Sequence, residues 1–274
     1  IVEAIGSAQS SKSKIICFLT GVPGAGKTLA GLTITHDPAV RSEDRPAGVF
    51  LSGNVPLVKI LREALARDSK ARGSHQNKQE AKRVVETFVQ NVHVFLDEYA
   101  SLKDLPPEKV VVFDEAQRAW DQERLSKKSL KAGKDPDVFN CSEPELFLRI
   151  MDRHDWSVVI ALVGGGQEIH DGEGGLAEWG KILLQKFSHW KVYTSPQALH
   201  GDISLSGQKL FSNFPHRMIS MSSAQFHVSN FVLNLPSAFN VSYLLDALFL
   251  HQSVTPCIEY RSQLSFLRNS SVSR

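Results

Sequence analysis

The segment GVPGAGKT at residues 21–28 constrains this chain more than any other part of its sequence. It fits the pattern G-x-x-x-x-G-K-[ST], and it stands between an apolar run at residues 15–20 and a predicted helix. Glycines let the backbone turn tightly and point successive N–H groups at phosphate oxygens, and the helix that follows adds the positive end of its dipole. The sequence therefore predicts a phosphate-binding loop at the end of a buried strand.

Each residue type in this loop has a chemical role. We expect Lys27 to reach the β- and γ-phosphates of a nucleotide and the Thr28 hydroxyl to ligate Mg²⁺. The predicted ligand is a purine nucleoside triphosphate bound as its Mg²⁺ complex, although no residue identifiable in the sequence would distinguish ATP from GTP. The predicted contact residues are Gly21, Val22, Pro23, Gly24, Ala25, Gly26, Lys27, Thr28 and Leu29.

Composition places the chain among ordinary globular proteins. Of its 274 residues, 42% are hydrophobic and 22% are charged, and its net charge of +2 neither demands nor excludes a nucleic-acid partner. Three widely spaced cysteines form no C-x-x-C pair, which is typical of a reducing compartment. No signal peptide and no run of about 18 apolar residues is evident, so we expect a cytoplasmic protein without a membrane partner.

Short β-rich runs alternate with amphipathic helical stretches, which predicts an α/β fold: a parallel sheet with helices on both faces. The strands are expected at residues 15–20, 48–52, 110–113, 158–163 and 191–194. Helices are expected at residues 56–68 and 77–90, and a third begins at Ser142, where Ser142 and Glu145 have capping-box spacing. The polar, basic stretch at residues 127–137 is predicted to be a surface loop.

The chain divides into two parts by sequence character. Residues 1–200 are predicted to form a P-loop domain that binds the nucleotide. Residues 201–274 are rich in serine and poor in charge, and we expect either a partial second domain or an irregular tail. Within that part, residues 231–235 are a candidate strand and residues 241–250 a candidate helix. The chain starts with Ile rather than Met, which leaves open whether it is a fragment of a longer protein.

Hydrolysis needs a second carboxylate for the metal ion and a group that activates water. The segment KVVVFDEAQRAW supplies both at the end of a predicted strand. Asp114 is placed to hold Mg²⁺ through its water shell, and Glu115 is the predicted general base. The alternative is an acidic pair that only starts a loop, which the upstream phosphate-binding loop makes less favourable.

A glycine run follows the next predicted strand, in GGGQEIHDGEGG. Glycines at 164–166 allow a close turn at the carboxyl end of the sheet, where open α/β folds bind their ligands. Gln167 is therefore a candidate to contact the γ-phosphate, the alternative being an ordinary polar loop residue. The spacing of His170 and Asp171 does not favour a metal site.

Four motifs in this order resemble those of the Schlafen group 3-like DNA/RNA helicase domain, which is similar to superfamily 1 helicases. They are GVPGAGKT, LSGNVPLVKILREAL, VVVFDEAQRAWD and ALVGGGQEIHDGEGGLAEW, and they cover residues 15–179. The resemblance implies a RecA-like fold and a preference for ATP. It implies a Walker A loop at residues 21–28, a Walker B pair at Asp114 and Glu115 extended by Ala116 and Gln117, and a coupling role for Gln167. It also implies that residues 52–54 and Pro56 contact a nucleic-acid strand.

The sequence departs from this family in one respect. A complete motor of this kind has a second RecA-like domain whose arginines reach the γ-phosphate, and an arginine expected near residues 238–240 is missing. Because an arginine finger contributes roughly 10³–10⁵ in rate, its absence predicts slow hydrolysis unless a partner or a missing domain supplies one.

Two basic stretches are candidates for contact with DNA or RNA. One is at residues 70–83 and the other at residues 127–134, and for each a solvated helix face or loop is the favoured interpretation. Trp120 and Trp156 could stack on bases, but both adjoin predicted core elements, so packing is the favoured interpretation.

Three functions remain open at this stage. The first is an ATPase of helicase type that acts on DNA or RNA. The second is an ATP-binding regulatory or remnant domain that hydrolyses little because the arginine-bearing part is missing. The third is a different P-loop class, either a signalling NTPase or a small-molecule kinase. The glutamine of GGGQE and the lack of an arginine-rich lid argue against a kinase.

Overall fold

In the part of the chain that the structure describes, seven strands form a single sheet in which every adjacent pair runs parallel. The computed structural model describes residues 1–36, 48–74, 77–101, 104–164, 170–202, 205–212 and 219–220. Across the sheet the order is β3-β2-β4-β5-β1-β6-β7. The strands are β1 (Lys14–Gly21), β2 (Val49–Ser52), β3 (Val89–Asn91), β4 (Val110–Asp114), β5 (Ser157–Gly164), β6 (Lys191–Thr194) and β7 (Ile219–Ser220). The predicted α/β, RecA-like class is confirmed.

Helices cover both faces of this sheet. They are α1 (Val2–Ser11), α2 (Lys27–His36), α3 (Val55–Ala71), α4 (Lys78–Phe88), α5 (Val92–Tyr99), α6 (Gln122–Lys131), α7 (Pro136–Phe139), α8 (Glu143–Met151), α9 (Gly175–Gln185) and α10 (Pro196–His200). A single 3₁₀ turn, Ala116–Arg118, follows β4. Residues of α1–α4 pack in one buried cluster, and residues of α5–α10 pack in the other.

The central strands supply both clusters because their side chains alternate between the faces. On β1, Ile15 and Cys17 point to the α1–α4 layer, whereas Ile16 and Phe18 point to the α5–α10 layer. All eight residues of β5 are buried, as expected for a strand covered on both faces. The second layer also holds Cys141, so each layer contains one free, buried cysteine from the described part of the chain.

The helix α2 approaches the sheet more closely than a side chain at its centre would allow. A Cβ atom at Gly31 would lie 2.8 Å from Val112 Cγ1 and 2.9 Å from Leu162 Cδ1. Both distances are shorter than carbon atoms tolerate, so glycine at this position sets how closely α2 packs on β4 and β5. The same helix begins at Lys27, at the end of the phosphate-binding loop.

The predicted surface loop at residues 127–137 is wrong. The helix α6 continues to Lys131, and α7 starts at Pro136. Asp121 caps α6 by accepting a hydrogen bond from the N–H of Arg124 at 2.8 Å, and Leu125 is buried against the core. A cap and a narrow apolar face are thus enough to hold a very polar helix in place.

The capping box predicted at Ser142 is also wrong, although α8 begins where expected. Ser142 precedes the helix but makes no side-chain cap hydrogen bond, and its buried hydroxyl has no partner among the described residues. Glu145 turns away from the helix start and forms an ion pair with Lys186 at 2.5 Å. The spacing of a capping box was present without its hydrogen bonds.

The chain beyond α10 is described only in part. Leu205, Leu210 and Phe211 are buried in the α5–α10 layer, and β7 pairs with β6. The carbonyl oxygen of Leu210 lies where a Cβ atom on Gly180 would be, which brings this segment directly onto α9. The division at residue 200 stays a prediction, and the candidate elements at residues 231–235 and 241–250 lie outside the described residues.

Candidate functional site

The phosphate-binding loop leaves the carboxyl end of β1 and enters α2, as the sequence predicts. Gly21 is the last residue of β1 and pairs in register with Gly164, the last residue of β5. Gly24 and Gly26 have φ values of 80° and 82°, a left-handed conformation that favours glycine. Val22, Pro23 and Gly24 are exposed, and Ala25, Gly26 and Thr28 are half-buried. Leu29 instead buries its side chain in the α1–α4 layer.

Lys27 folds its ammonium group back into this loop. Its Nζ atom donates hydrogen bonds to the carbonyl oxygens of Gly21 at 2.7 Å and Val22 at 3.0 Å. Burial lowers the pKa of the Lys27 ammonium, and the carboxylates of Glu115 and Asp114 oppose this shift. The loop lysine and the acidic pair therefore lie close enough to interact electrostatically.

Asp114 ends β4 at the same edge of the sheet. It is 3% exposed, and β5 separates its strand from β1. Burial and, to a smaller extent, the charge of Glu115 raise the pKa of its carboxyl to about 7, while the charge of Lys27 opposes the shift. A buried carboxyl with a raised pKa gains most from a nearby cation, because the cation stabilises the ionised form.

Glu115 occupies the turn directly after β4. Its backbone has φ 55° and ψ 45°, a left-handed conformation that is uncommon for a residue with a side chain. The hydrogen bond from the N–H of Arg118 to the Glu115 carbonyl closes this turn at 2.8 Å. The conformation turns the chain abruptly and leaves the Glu115 side chain half-buried beside the ends of β4 and β5.

Gln117 joins this turn to the neighbouring strand. Its side chain is 2% exposed, its Nε2 atom donates to Glu115 Oε2, and its Oε1 atom accepts from the N–H of Gly164 at 3.0 Å. A Cβ atom on Gly164 would lie 3.0 Å from Glu115 Oε2 and 3.1 Å from Gln117 Nε2. Glycine at the end of β5 is therefore what allows the two side chains to lie there.

The donor set fits Mg²⁺ carried by a nucleotide. The Thr28 hydroxyl and the Asp114 carboxylate are hard oxygen donors at the same sheet edge, and Mg²⁺ keeps water and phosphate oxygens as its remaining ligands. Within the described ranges, no group of three or more His, Cys, Asp or Glu side chains is positioned to hold a metal ion by itself. Any metal at this edge would thus depend on the phosphates for most of its coordination.

The sequence also predicted a γ-phosphate contact for Gln167 and a nucleic-acid contact for residues 52–54 and Pro56. Gln167 lies outside the described residues, so its role stays a prediction. Ser52 is buried at the end of β2, and its Oγ atom accepts from the N–H of Asn54 at 3.2 Å. Asn54 caps α3 through the N–H of Leu57 at 3.1 Å, while Gly53 and Pro56 are exposed. The capping role is observed, and a contact with a nucleic-acid strand stays a prediction.

A comparison with family models identifies the protein family to which this chain belongs. The model described as Schlafen group 3, DNA/RNA helicase domain matches residues 14–235, which is most of the chain. The chain belongs to this helicase-domain family. A search of curated proteins found no match to the chain.

The Schlafen group 3 match extends from the first residue of β1 past β7. It therefore includes the phosphate-binding loop, the acidic turn formed by Asp114 and Glu115 at the end of β4, and the segment after β5. It confirms the family inferred from the four sequence motifs. In the part of the chain that the structure describes, no helix of this helicase domain is long and apolar enough to cross a membrane.

Many of the basic residues proposed to contact DNA or RNA are paired with acidic neighbours. In the first stretch, Lys78 pairs with Glu63 at 2.5 Å and Arg72 with Asp68 at 2.9 Å. In the second, Lys134 pairs with Asp97. The pairing reduces the positive field of both surfaces, and contact with phosphates stays a prediction for each.

Trp120 and Trp156, the two tryptophans considered for stacking on bases, both pack against other side chains of the protein. His93 lies against Trp120 with ring centroids 3.9 Å apart, and the Lys128 Nζ atom lies 4.1 Å from the Trp120 ring centroid. Trp156 packs against the α1–α4 layer with Lys109 over its ring at 5.3 Å. The interpretation of both as packing residues agrees with the structure.

Sequence reasoning missed two buried polar groups behind the site. The motif resemblance included Gln117, but it did not predict the contact of Gln117 with Gly164, which lies 47 residues away along the chain. Glu143 is 1% exposed, and its Oε2 atom accepts from the N–H of Trp120 at 2.8 Å. Burial raises the pKa of the Glu143 carboxyl to about 7. No local pattern distinguishes these residues from surface glutamine and glutamate.

Proposed function

We propose that this helicase domain binds ATP with Mg²⁺ and hydrolyses it, as an ATPase of helicase type that acts on DNA or RNA. One observation carries the proposal: the loop after β1 and the acidic turn after β4 meet at one edge of the sheet. There, Lys27 interacts electrostatically with both Asp114 and Glu115. Family membership supports the helicase type and the nucleic-acid partner.

The residues divide the chemistry between them. Backbone N–H groups of residues 21–29, together with Lys27, would bind the phosphates, and Thr28 and Asp114 would hold Mg²⁺, which neutralises charge on the phosphates. Glu115 would accept a proton from the attacking water. The oxygen of that water bonds to the γ-phosphorus while the bond to the bridging oxygen breaks, so that ADP and phosphate leave.

The decisive experiment is steady-state ATP hydrolysis at low salt, with and without single-stranded DNA or RNA. The unmodified chain is compared with Lys27→Ala, and an exposed lysine in α9, outside both basic stretches, supplies the matched control Lys181→Ala. Hydrolysis that nucleic acid stimulates, that Lys27→Ala removes and that Lys181→Ala retains would support the full proposal.

Other results would separate its parts. Hydrolysis without any effect of DNA or RNA would support the ATPase and contradict the nucleic-acid partner. Binding of ATP without hydrolysis under every condition would contradict the ATPase and favour a regulatory or remnant domain. Slow turnover that a partner carrying an arginine accelerates would indicate that the arginine finger comes from outside these residues.

A further inference from the structure

We propose that Gln117 is a positioning residue for hydrolysis, because its amide holds the Glu115 carboxylate against the end of β5. The inference rests on the proposed ATPase and deepens it by naming what orients the general base. Gln117 itself does not contact the reacting atoms in this scheme. It acts through Glu115 on one side and through the backbone of Gly164 on the other.

The surrounding atoms determine which way this amide points. The Gly164 N–H can only donate, so it requires the Oε1 atom of Gln117 at 3.0 Å. An ionised Glu115 carboxylate can only accept, so it requires the Nε2 atom. Both ends of the amide are therefore used, and a side chain that lacks either a donor or an acceptor would leave one buried group without its partner.

The rest of the turn is fixed independently of Gln117. The Trp179 Nε1 atom donates to the Ala116 carbonyl at 2.8 Å. Farther along, the N–H of Gly174 donates to the Ala119 carbonyl at 2.8 Å, and the N–H of Asp121 donates to the Gly172 carbonyl at 2.9 Å. Because these contacts hold the backbone, loss of the Gln117 amide should release the Glu115 side chain without unfolding the turn.

Three variants test the role. Gln117→Leu removes both hydrogen bonds at similar size, and Gln117→Glu replaces the donor with a second carboxylate. Gln185→Glu makes the same chemical change at the exposed end of α9 and serves as the control. ATP affinity, kcat, the dependence of kcat on pH and thermal stability are measured for each.

The expected pattern is a loss in kcat without a loss in binding. Gln117→Leu should lower kcat by about 10- to 100-fold, because a misplaced general base loses much of its contribution, and should change the Kd for ATP by less than about threefold. Gln117→Glu should also lower kcat and change its dependence on pH, because the new carboxylate repels Glu115 and does not donate the hydrogen bond that holds it.

A measurement without nucleotide tests the geometry separately. Since Gly164 donates its N–H to Gln117, amide hydrogen exchange at Gly164 should quicken on the order of fivefold in Gln117→Leu, followed by NMR of the nucleotide-free chain. Unchanged exchange in that variant would overturn the proposed contact, whatever the kinetics show.

The kinetic outcomes also distinguish this inference from the proposed function. If the unmodified chain hydrolyses no ATP, both fall together. If it hydrolyses ATP and both Gln117 variants match Gln185→Glu in kcat and pH profile, the positioning role is wrong and the ATPase stands. A parallel loss of ATP binding, thermal stability and kcat would show that Gln117 serves the fold alone.

Discussion

Asp114 combines two opposing properties in one side chain. It is buried at the end of β4, where burial raises the pKa of its carboxyl to about 7, yet the proposed function needs its ionised form. A carboxyl with a raised folded-state pKa stabilises the fold below its unfolded pKa of about 4, and this stabilisation is lost as pH rises through about 7. At pH 8 the folded chain therefore carries an ionised carboxylate that is costly to bury.

Replacing Asp114 by asparagine should separate stability from function. At pH 8, Asp114→Asn removes the buried charge, and we expect the free energy of unfolding to rise by about 2 kcal/mol, with little change at pH 4. Hydrolysis of ATP should be lost at both pH values. Urea denaturation and the steady-state assay measure the two effects, and Asp137→Asn, at an exposed aspartate in α7, is the control. A less stable Asp114→Asn at pH 8 would contradict the account of burial.

At the scale of elements, the packing of α2 on the sheet should determine the position of the phosphate-binding loop. Because a Cβ atom at Gly31 would meet Val112 and Leu162, Gly31→Ala should displace α2 and destabilise the chain by about 1–3 kcal/mol. The Kd for ATP should rise as well, since α2 begins at Lys27.

The matched control for Gly31→Ala lies in another helix. A Cβ atom at Gly6 in α1 would meet nothing within 4 Å, so Gly6→Ala should leave ATP affinity unchanged and stabilise the chain by up to about 1 kcal/mol. Denaturant unfolding measures the free energy of unfolding of both variants, and ATP titration measures their Kd for ATP. Equal effects of the two substitutions would show that α2 adjusts to a side chain at residue 31 without disturbing the loop.

Elements with a local signal could be predicted from the sequence, and elements that depend on distant contacts could not. The strands β1, β4 and β5 are continuous apolar runs, and the pattern of residues 21–28 identifies its own loop. The helix α6 was missed because contacts that stabilise it, such as that of Lys128 with the Trp120 ring, form only in the folded chain and leave no local sequence pattern. In the site, the acidic turn after β4 was predictable, but the bridge from Gln117 to Gly164 was not, because it joins residues brought together only by the sheet.

At the scale of the whole molecule, buried acids and buried histidines should oppose each other as pH changes. The pKa values of the Asp114 and Glu143 carboxyls are raised to about 7, so their stabilisation is lost as pH rises. Burial lowers the pKa values of His93 and His154 to about 4, so their stabilisation is present above an unfolded pKa of about 6.5 and lost as pH falls. Between about pH 4.5 and 6.5 the two effects should largely cancel.

Removing the two buried carboxyls should make the contribution of the two buried histidines to the pH dependence of stability measurable. In the double variant Asp114→Asn/Glu143→Gln, we expect the free energy of unfolding to rise by about 2 kcal/mol from pH 4.5 to 6.5, whereas the unmodified chain should change little over that range. Chemical denaturation at several pH values in constant salt measures both curves. Parallel curves for the two proteins would show that these four groups do not govern the pH dependence of stability.

Among the residues that the structure describes, each of the two layers encloses one thiol, and these two thiols can serve as chemical probes of the fold. Burial raises the pKa of Cys17 to about 12 in the α1–α4 layer and that of Cys141 to about 11 in the α5–α10 layer. Since the thiolate is the reactive form, an alkylating reagent reaches either cysteine only when its own layer opens. The relative labelling rates of the two thiols therefore measure whether the layers on opposite sides of the sheet open together or one at a time.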